Sequence, residues 1–311
     1  MSPKNKPSIA VIVGGPAAEA EVSRVSGRGV ANALLATYEN VNVLELDEAI
    51  TERLKETQVD VVFPVLHGPP GEDGTFQGFL EILGIPYVGS GVLASACAMD
   101  KTVAKQIFRA HGLPVAKDTI VKRSEGAPGS ARRVLDLLGS DVVVKPSSQG
   151  SALGVQFAKD FGGLEEAFSY DERALVEECI AGREITVAIL EREGTEALPV
   201  IEIRTPPGSW YDYEHRYTPG LSEHIIPAPL PEAQYLRTQE VAKLAHESLL
   251  CRDLSRVDFV LPEQGEPIVL EVNTIPGMTP TSLYPDAARA VGLSFEALVA
   301  HLIKRALSRS R

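Results

Sequence analysis

Arg256 and Asp258 alternate along the run Arg256-Val-Asp-Phe-Val-Leu261, and Glu271 and Asn273 alternate along Ile268-Val-Leu-Glu-Val-Asn273, with a turn at 262–267 between them. Side chains point to opposite faces of a strand in turn. Val257, Phe259, Leu270 and Val272 can therefore be buried while an arginine, two carboxylates and an amide share the other side. Asp258, Glu271 and Asn273 offer hard oxygen donors suited to Mg2+ or Mn2+, and Mg2+ usually completes its shell with substrate phosphates. The same alternation also describes an amphipathic hairpin with a solvated polar face. A turn-rich loop, Thr274-Ile-Pro-Gly-Met-Thr-Pro-Thr-Ser282, follows at the strand end, where ligands are commonly held.

A chain of 311 residues is too long for one small core and fits two or three compact subdomains. Its first part reads as β-loop-α. The apolar run Ser8 to Val13 ends in Gly14-Gly15, and Val22, Val25, Val30, Ala33 and Leu34 then fall near one helix face. Val41 to Leu46 and the nearly continuous apolar run Val59 to Leu66 are further strands, the second of the kind buried in a parallel sheet. Helices are expected over Thr75 to Leu83, Val92 to Met99 and Thr102 to His111, with a short strand near Tyr87. From about Leu113 the pattern becomes a small α+β unit, with strands near Thr119 to Lys122 and Asp141 to Lys145 and a helix over Ser130 to Leu138. Beyond Glu184, strands at Ile185 to Leu190 and Leu198 to Ile203 precede the Pro- and Tyr-rich segment 206–231, a helix over Ala233 to Leu250 and the hairpin. A loop as long as 206–231 inside a globular unit is usually functional or disordered, and Trp210, Tyr211, Tyr213 and Tyr217 favour function.

Thirty Lys and Arg against 42 Asp and Glu give a net charge of −12 and a pI near 5.1. That balance argues against a nucleic-acid or anionic-membrane partner, so any phosphate site must be basic only locally. Cys97, Cys179 and Cys251 are scattered and lack CxxC spacing, which fits buried free thiols in a reducing compartment. With no apolar leader and no membrane-length apolar run, a soluble cytoplasmic protein is expected.

Two rival nucleotide motifs fail. Gly89-Ser-Gly-Val-Leu-Ala94 matches a dinucleotide fingerprint, but a second helical stretch follows it and Asp118 lies too far along to serve the ribose. No P-loop pattern is present. Lys145 ends the apolar run Val142-Val-Val-Lys145, and the loop Ser147 to Gly154 can offer backbone N–H groups to phosphate. Along Ala174 to Val187, backbone groups after Glu177, at Glu178 and Ile180, can read an adenine edge, and Glu184 can accept from ribose hydroxyls.

Taken together, His67 to Lys101 (HGPPGEDGTFQGFLEILGIPYVGSGVLASACAMDK), Lys145 to Val155 (KPSSQGSALGV), Glu177 to Leu190 (EECIAGREITVAIL), Tyr211 to Tyr217 (YDYEHRY), RVDFVL and LEVNTIPGMTPTSL closely resemble the D-alanine:D-alanine ligases of the ATP-grasp superfamily. The likeness runs from Ile9 to about Val299. It implies a mixed α/β and α+β, three-domain ATP-grasp architecture: an N-terminal parallel α/β substrate domain over 1–100, a central domain over 101–184, and a C-terminal domain over 185–311 that carries the metal site and a lid at 206–231. ATP then lies between the central and C-terminal sheets. Lys101, Lys145, Glu177, Glu178, Ile180 and Glu184 match nucleotide contacts. Arg256 matches the arginine that opposes oxyanion charge, and Asp258, Glu271 and Asn273 match the ligands of two Mg2+ or Mn2+ ions, with Glu271 bridging them. Glu19 matches the acid that holds the first amino acid's ammonium, with Ser151 and Tyr217 as its partners and His67 nearby. Gly277 and Ser282 match the residues that receive the second substrate's carboxylate.

The resemblance further implies ATP and D-alanine as substrates, an acyl phosphate on the first D-alanine, attack by the second amine, a role in peptidoglycan precursor synthesis, and a homodimer in many members. Charge neutralisation and exclusion of water are what such chemistry needs, which gives 206–231 the task of a lid. Four positions depart from the family pattern: Ala17, Gln149, Ala152 and Arg216, the last replacing lysine with a flatter donor array. A ligase with another second substrate (D-serine, D-lactate or another amino acid) and a non-catalytic nucleotide-binding protein are the alternatives.

Overall fold

The computed structural model describes residues 7–158, 171–218, 220–279 and 282–309, with only the backbone described at 126–129, 131 and 217. Among these residues no helix is long and apolar enough to cross a membrane.

The N-terminal unit begins with β1 (Ile9–Val13), α1 (Ala20–Leu35), β2 (Val41–Glu45), α2 (Ile50–Glu56) and β3 (Val61–Pro64). The strands form a parallel sheet of order β2-β1-β3, and a parallel bridge from Val62 to Tyr87 extends it. β1 is central and buried along its whole length, so both of its faces are apolar. Gly27 lets α1 lie close on the sheet, since a Cβ there would sit 2.0 Å from Val13 Cγ1. α2 has only two buried side chains, Ile50 and Leu54, and its brief pattern gives no strong signal in the sequence.

Next come α3 (Thr75–Leu83), α4 (Val92–Met99) and α5 (Lys101–Ala110). Asp100 breaks the chain between α4 and α5 and caps α5, accepting from the Thr102 N–H at 2.9 Å and the Val103 N–H at 3.2 Å. The cap starts the helix one residue before the expected Thr102.

The central unit is an antiparallel sheet of order β4-β7-β5-β6, built from β4 (Asp118–Lys122), β5 (Val142–Pro146), β6 (Gln156–Ala158) and β7 (Arg173–Glu178), with α6 (Gly126–Leu138) packed on it. Its core is small: Val121, Val134, Val142, Val144, Ala174 and Val176.

The C-terminal sheet has the order β11-β10-β8-β12-β13, with β9 (Thr195–Ala197) on the side of β8. Its strands are β8 (Arg183–Glu191), β10 (Ile201–Arg204), β11 (Glu223–Ile225), β12 (Leu254–Leu261) and β13 (Ile268–Asn273). The segment 206–231 is not one continuous loop. It holds the short helix α7 (Tyr213–Tyr217) and β11, which pairs antiparallel with β10. The pairing satisfies the β10 edge, a relation set by distant residues and invisible to local periodicity.

One face of this sheet, at Ile185, Val187, Val257 and Phe259, packs with α5 and α8 (Glu232–Ser248). The opposite face begins apolar at Ala188, Leu190 and Leu254, where it joins a core shared with β1, α1, α9 (Leu283–Ala290) and α10 (Phe295–Ser308). Farther along, that face turns polar at Glu184, Thr186, Arg256 and Asp258 as it leaves the N-terminal unit and turns toward the central sheet. The change of character along one sheet face creates the site.

Candidate functional site

A solvent-connected cleft of about 1030 Å3 lies between the central and C-terminal sheets. Lys101 of α5, Lys145 of β5, Glu177 to Ile180 at the end of β7, Glu184 of β8, Asp258 of β12 and Glu271 of β13 all line it. The expected nucleotide residues and both expected metal carboxylates are thus brought together by elements far apart in sequence. Val143, Phe157, Trp210 and Leu270 supply apolar walls. At the β7 end, the Glu178 N–H donates to the Lys117 carbonyl at 3.0 Å and its carboxylate accepts from the Lys117 N–H at 2.9 Å.

Three lysines give this acidic chain its local positive charge. Lys101 Nζ donates to the Gln149 carbonyl at 2.7 Å and lies 3.1 Å from Glu271 Oε2. Glu177 is paired on one side with Lys145 and on the other with Lys105, a residue not anticipated from the sequence. Burial alone would raise the Glu177 pKa, but the two ammonium groups bring it down to about 2. Lys105 has no exposed surface, and burial lowers its pKa to about 8 against the pull of Glu177. Burial likewise opposes the charge on Glu271, and Lys101 with Arg216 lowers its pKa nonetheless. Glu184 moves the other way, raised chiefly by burial, and accepts from the Tyr211 N–H at 3.3 Å.

In the hairpin, Asp258 stands opposite Glu271, and Arg256 stands opposite Asn273. Arg256 donates from Nε to Asp258 Oδ1 at 2.8 Å and from an Nη to Oδ2 at 2.7 Å. Thr186 Oγ1 donates to the same carboxylate at 2.6 Å, and Asn273 Nδ2 at 3.1 Å. Burial disfavours the Arg256 charge, yet Asp258 raises its pKa, so the guanidinium stays charged. The register shifts between Asp258 and Phe259. As a result Val269 and Val272 are buried, while Leu270, expected in the core, lines the cleft instead. Asp258, Glu271 and Asn273 supply hard oxygen donors of the kind that could hold Mg2+ or Mn2+. Among the described residues no three His, Cys, Asp or Glu side chains gather as a cage.

A second, polar chamber adjoins the first. It is lined by Glu19, His67, Ser151, Arg216, Arg256, Asn273, Gly277 and Ser282, and also by Glu72, which the sequence reading did not single out, and Tyr211, to which it gave no specific role. Glu19 precedes α1 without capping it through its side chain, and its buried Oε2 has no hydrogen-bond partner among the described residues. Among the same residues the buried His67 Nε2 has no partner either. Glu72 accepts from the Gly68 N–H at 2.7 Å and lies 3.9 Å from His67 Nδ1. One end of the chamber is therefore anionic, and Arg216 and Arg256 make another part cationic. Ser151 and Ala152 both adopt left-handed backbone, with φ of 51° and 57°, which is costly for residues with a Cβ. Ser282 Oγ accepts from the Thr279 N–H at 3.0 Å, and a Cβ on Gly277 would lie 2.9 Å from that oxygen. Ala17 packs toward Gly68, within 3.2 Å of where a Cβ there would be.

Tyr211 and Arg216 line both chambers and form the wall between them. The Arg216 guanidinium lies over the Tyr211 ring at 4.7 Å, and its Nε donates to the Tyr211 carbonyl at 3.1 Å. Tyr217 closes α7, and its side chain lies outside the described residues, as do Pro280 and Thr281 before Ser282. Of the additional residues, Glu72 and Tyr211 fall inside runs already notable in the sequence. Lys105 has one available signal, its spacing of four from Lys101 on a helix.

Two antiparallel sheets from separate lobes, facing each other across a cleft lined by lysines and carboxylates, define the ATP-grasp class. Two family models match: "D-ala D-ala ligase C-terminus" over residues 107–304 and "D-ala D-ala ligase N-terminus" over 39–90. The D-alanine–D-alanine ligase of Pelotomaculum thermopropionicum is 46% identical, with 96% of each chain covered. That of Halalkalibacterium halodurans is 45% identical, covering 97% of this chain and 99% of the relative. A crystal structure of the Bacillus anthracis D-alanine–D-alanine ligase complexed with ATP superposes with a TM-score of 0.83 at 33% identity, covering 97% of this chain and 98% of that one. The chain belongs to the D-alanine–D-alanine ligase family.

Proposed function

We propose that this protein ligates two D-alanines to D-alanyl-D-alanine with ATP, releasing ADP and phosphate. The observation that carries the reading is the junction of the two chambers: a lysine-lined cleft for a nucleotide meets an amino-acid-sized polar chamber at Tyr211, Arg216 and the Arg256–Asp258 pair. Adenine lies against Val143, Phe157, Trp210 and Leu270, with its edge at Glu178 and Ile180 and the ribose hydroxyls on Glu184. Lys101 and Lys145 face the phosphates. Asp258, Glu271 and Asn273 would hold Mg2+ or Mn2+, which when bound would neutralise phosphate charge.

In the second chamber, the buried Glu19 carboxylate takes the ammonium of the first D-alanine, and Ser151 and Tyr217 join it. The carboxylate of that D-alanine is directed toward Arg256. Transfer of the γ-phosphoryl group to a carboxylate oxygen gives an acyl phosphate and ADP. The free amine of the second D-alanine, its carboxylate received at Gly277 and Ser282, adds to the acyl carbon. The tetrahedral adduct loses a proton from nitrogen and expels phosphate, forming the peptide bond. Arg256 opposes the oxyanion charge, and no side-chain nucleophile is required. Segment 206–231, with Tyr211 and Arg216, excludes water from the acyl phosphate. His67 and Arg216 complete the substrate chamber.

We place the enzyme in the cytoplasm, as a homodimer, supplying the dipeptide for peptidoglycan precursors. The test is phosphate release by purified protein with Mg2+-ATP and a panel of D- and L-amino acids and D-lactate, with product masses measured. D-Alanyl-D-alanine is the expected product, and absence of turnover with D-alanine would overturn the reading.

A further inference from the structure

α5 carries two lysines one helical turn apart, and they reach opposite walls of the nucleotide cleft. Lys101 lies 3.1 Å from Glu271 on the C-terminal sheet, whereas Lys105 pairs with Glu177 on the central sheet. The body of α5 packs with the C-terminal sheet, since Ala104 and Phe108 are buried in the same cluster as Ile185, Val257 and Phe259. Its cap, Asp100, also accepts from Arg173 of β7 at 2.6 Å. α5 is thus tied to both lobes.

Lys105 lines neither chamber and the ligation chemistry does not use it. It is nevertheless a fully buried ammonium, an arrangement that is unfavourable unless a partner compensates it. Asp118, 3.8 Å away, is already paired with Arg109, which leaves Glu177 as the main partner. The second oxygen of Glu177 pairs with Lys145, and Lys145 lines the cleft. One carboxylate therefore stands between two ammonium groups, and the trio carries one net positive charge on the cleft side. Without Lys105, Glu177 and Lys145 would form a neutral pair, and a phosphate would meet no net charge there.

We propose that Lys105 is a positioning residue for the nucleotide: by neutralising Glu177 from behind, it leaves the charge of Lys145 available to the phosphates. The proposal rests on the ATP-dependent reading of the cleft. Its test measures KM for ATP and for D-alanine, kcat and thermal melting for Lys105→Met, Glu177→Gln and the double variant. Lys105→Met should raise KM for ATP about tenfold while leaving KM for D-alanine within about twofold. In the Glu177→Gln background the same change should have no further effect on ATP, because no carboxylate remains to be neutralised. An unchanged KM for ATP in the single variant, or an equal rise in both backgrounds, would overturn the proposal. If Lys105→Met does not fold, the double variant, which buries neither charge, must bind ATP as well as Glu177→Gln alone; weaker binding sinks the idea. Wild-type turnover in the same assay reports separately on ATP-dependent ligation.

Discussion

Trp210 meets Phe157 edge to face, with ring centroids 5.2 Å apart and planes at 72°. Trp210 belongs to the segment after β10 and Phe157 to β6, so the C-terminal and central lobes touch through these rings beside the nucleotide cleft. Phe157 remains 54% exposed beside that ring. Such a pair contributes about 0.5–1.5 kcal/mol beyond buried area. Trp210→Ala should raise KM for ATP several-fold, roughly the equivalent of that coupling, and hardly move KM for D-alanine. A double-mutant cycle with Phe157→Ala checks the relation: strictly additive effects would refute a direct contact.

Asp258 is asked to serve two partners, the buried Arg256 and a divalent cation. Asp258→Asn and Glu271→Gln should each reduce Mg2+-dependent phosphate release by about 100-fold or more. Asp258→Ala should in addition lower the melting temperature, because removing one member of a buried ion pair strands the other at a cost of about 3–5 kcal/mol. Phosphate-release kinetics and thermal melting on the same preparations separate the two effects. Near-normal turnover in both carboxylate variants would remove the metal assignment.

Gly277→Ala places a methyl group 2.9 Å from Ser282 Oγ, closer than a relaxed contact. The expected outcome is a KM defect confined to the second D-alanine, read by holding the first site saturated. Ser282→Ala removes the oxygen that the methyl would meet. If crowding is the cause, Gly277→Ala should therefore cost less in the Ser282→Ala background than in the wild type.

Acid stability should show the mark of Glu191. The His246 imidazole 3.5 Å away, with the Asp253 N–H and Arg305, lowers its pKa from an ordinary 4.5 to about 2, although partial burial opposes the shift. A carboxylate depressed in the folded state adds stability above its unfolded pKa and loses it as pH falls toward the folded value. Glu191→Gln should thus melt lower than wild type above about pH 4.5, with the gap closing as pH falls toward 2. A gap that stays constant across that window would show that ionisation of Glu191 is not its source.

The hairpin was legible in the sequence because strand alternation alone puts Arg256 with Asp258 and Glu271 with Asn273. The misreading of Leu270 came from the bulge, which arises from pairing and leaves no trace in the order of residues. Lys145 and Glu177 stood out through their neighbours, whereas Lys105 looked like any polar helix position until the fold buried it beside β7. The segment 206–231 read as loop because β11 exists only through its pairing to β10. Residues of the two chambers could be gathered from the sequence only by family likeness. Their meeting depends on three sheets whose relative placement no local pattern encodes.

The core that joins β1 and α1 to α9 and α10 has a consequence for biosynthesis. Leu298, Val299, Leu302 and Ile303 are buried in the same cluster as Ile9, Val11 and Val13, although nearly the whole chain separates them. On a ribosome, the parallel strands emerge before α9 and α10, and the side of that sheet which α1 covers in part stays incomplete until the stretch holding those two helices has been made. The nascent protein therefore carries a partly covered apolar surface until its last helices are made, the state in which chaperones and early aggregation compete. Completion of the N-terminal unit is an event of late synthesis rather than of early folding.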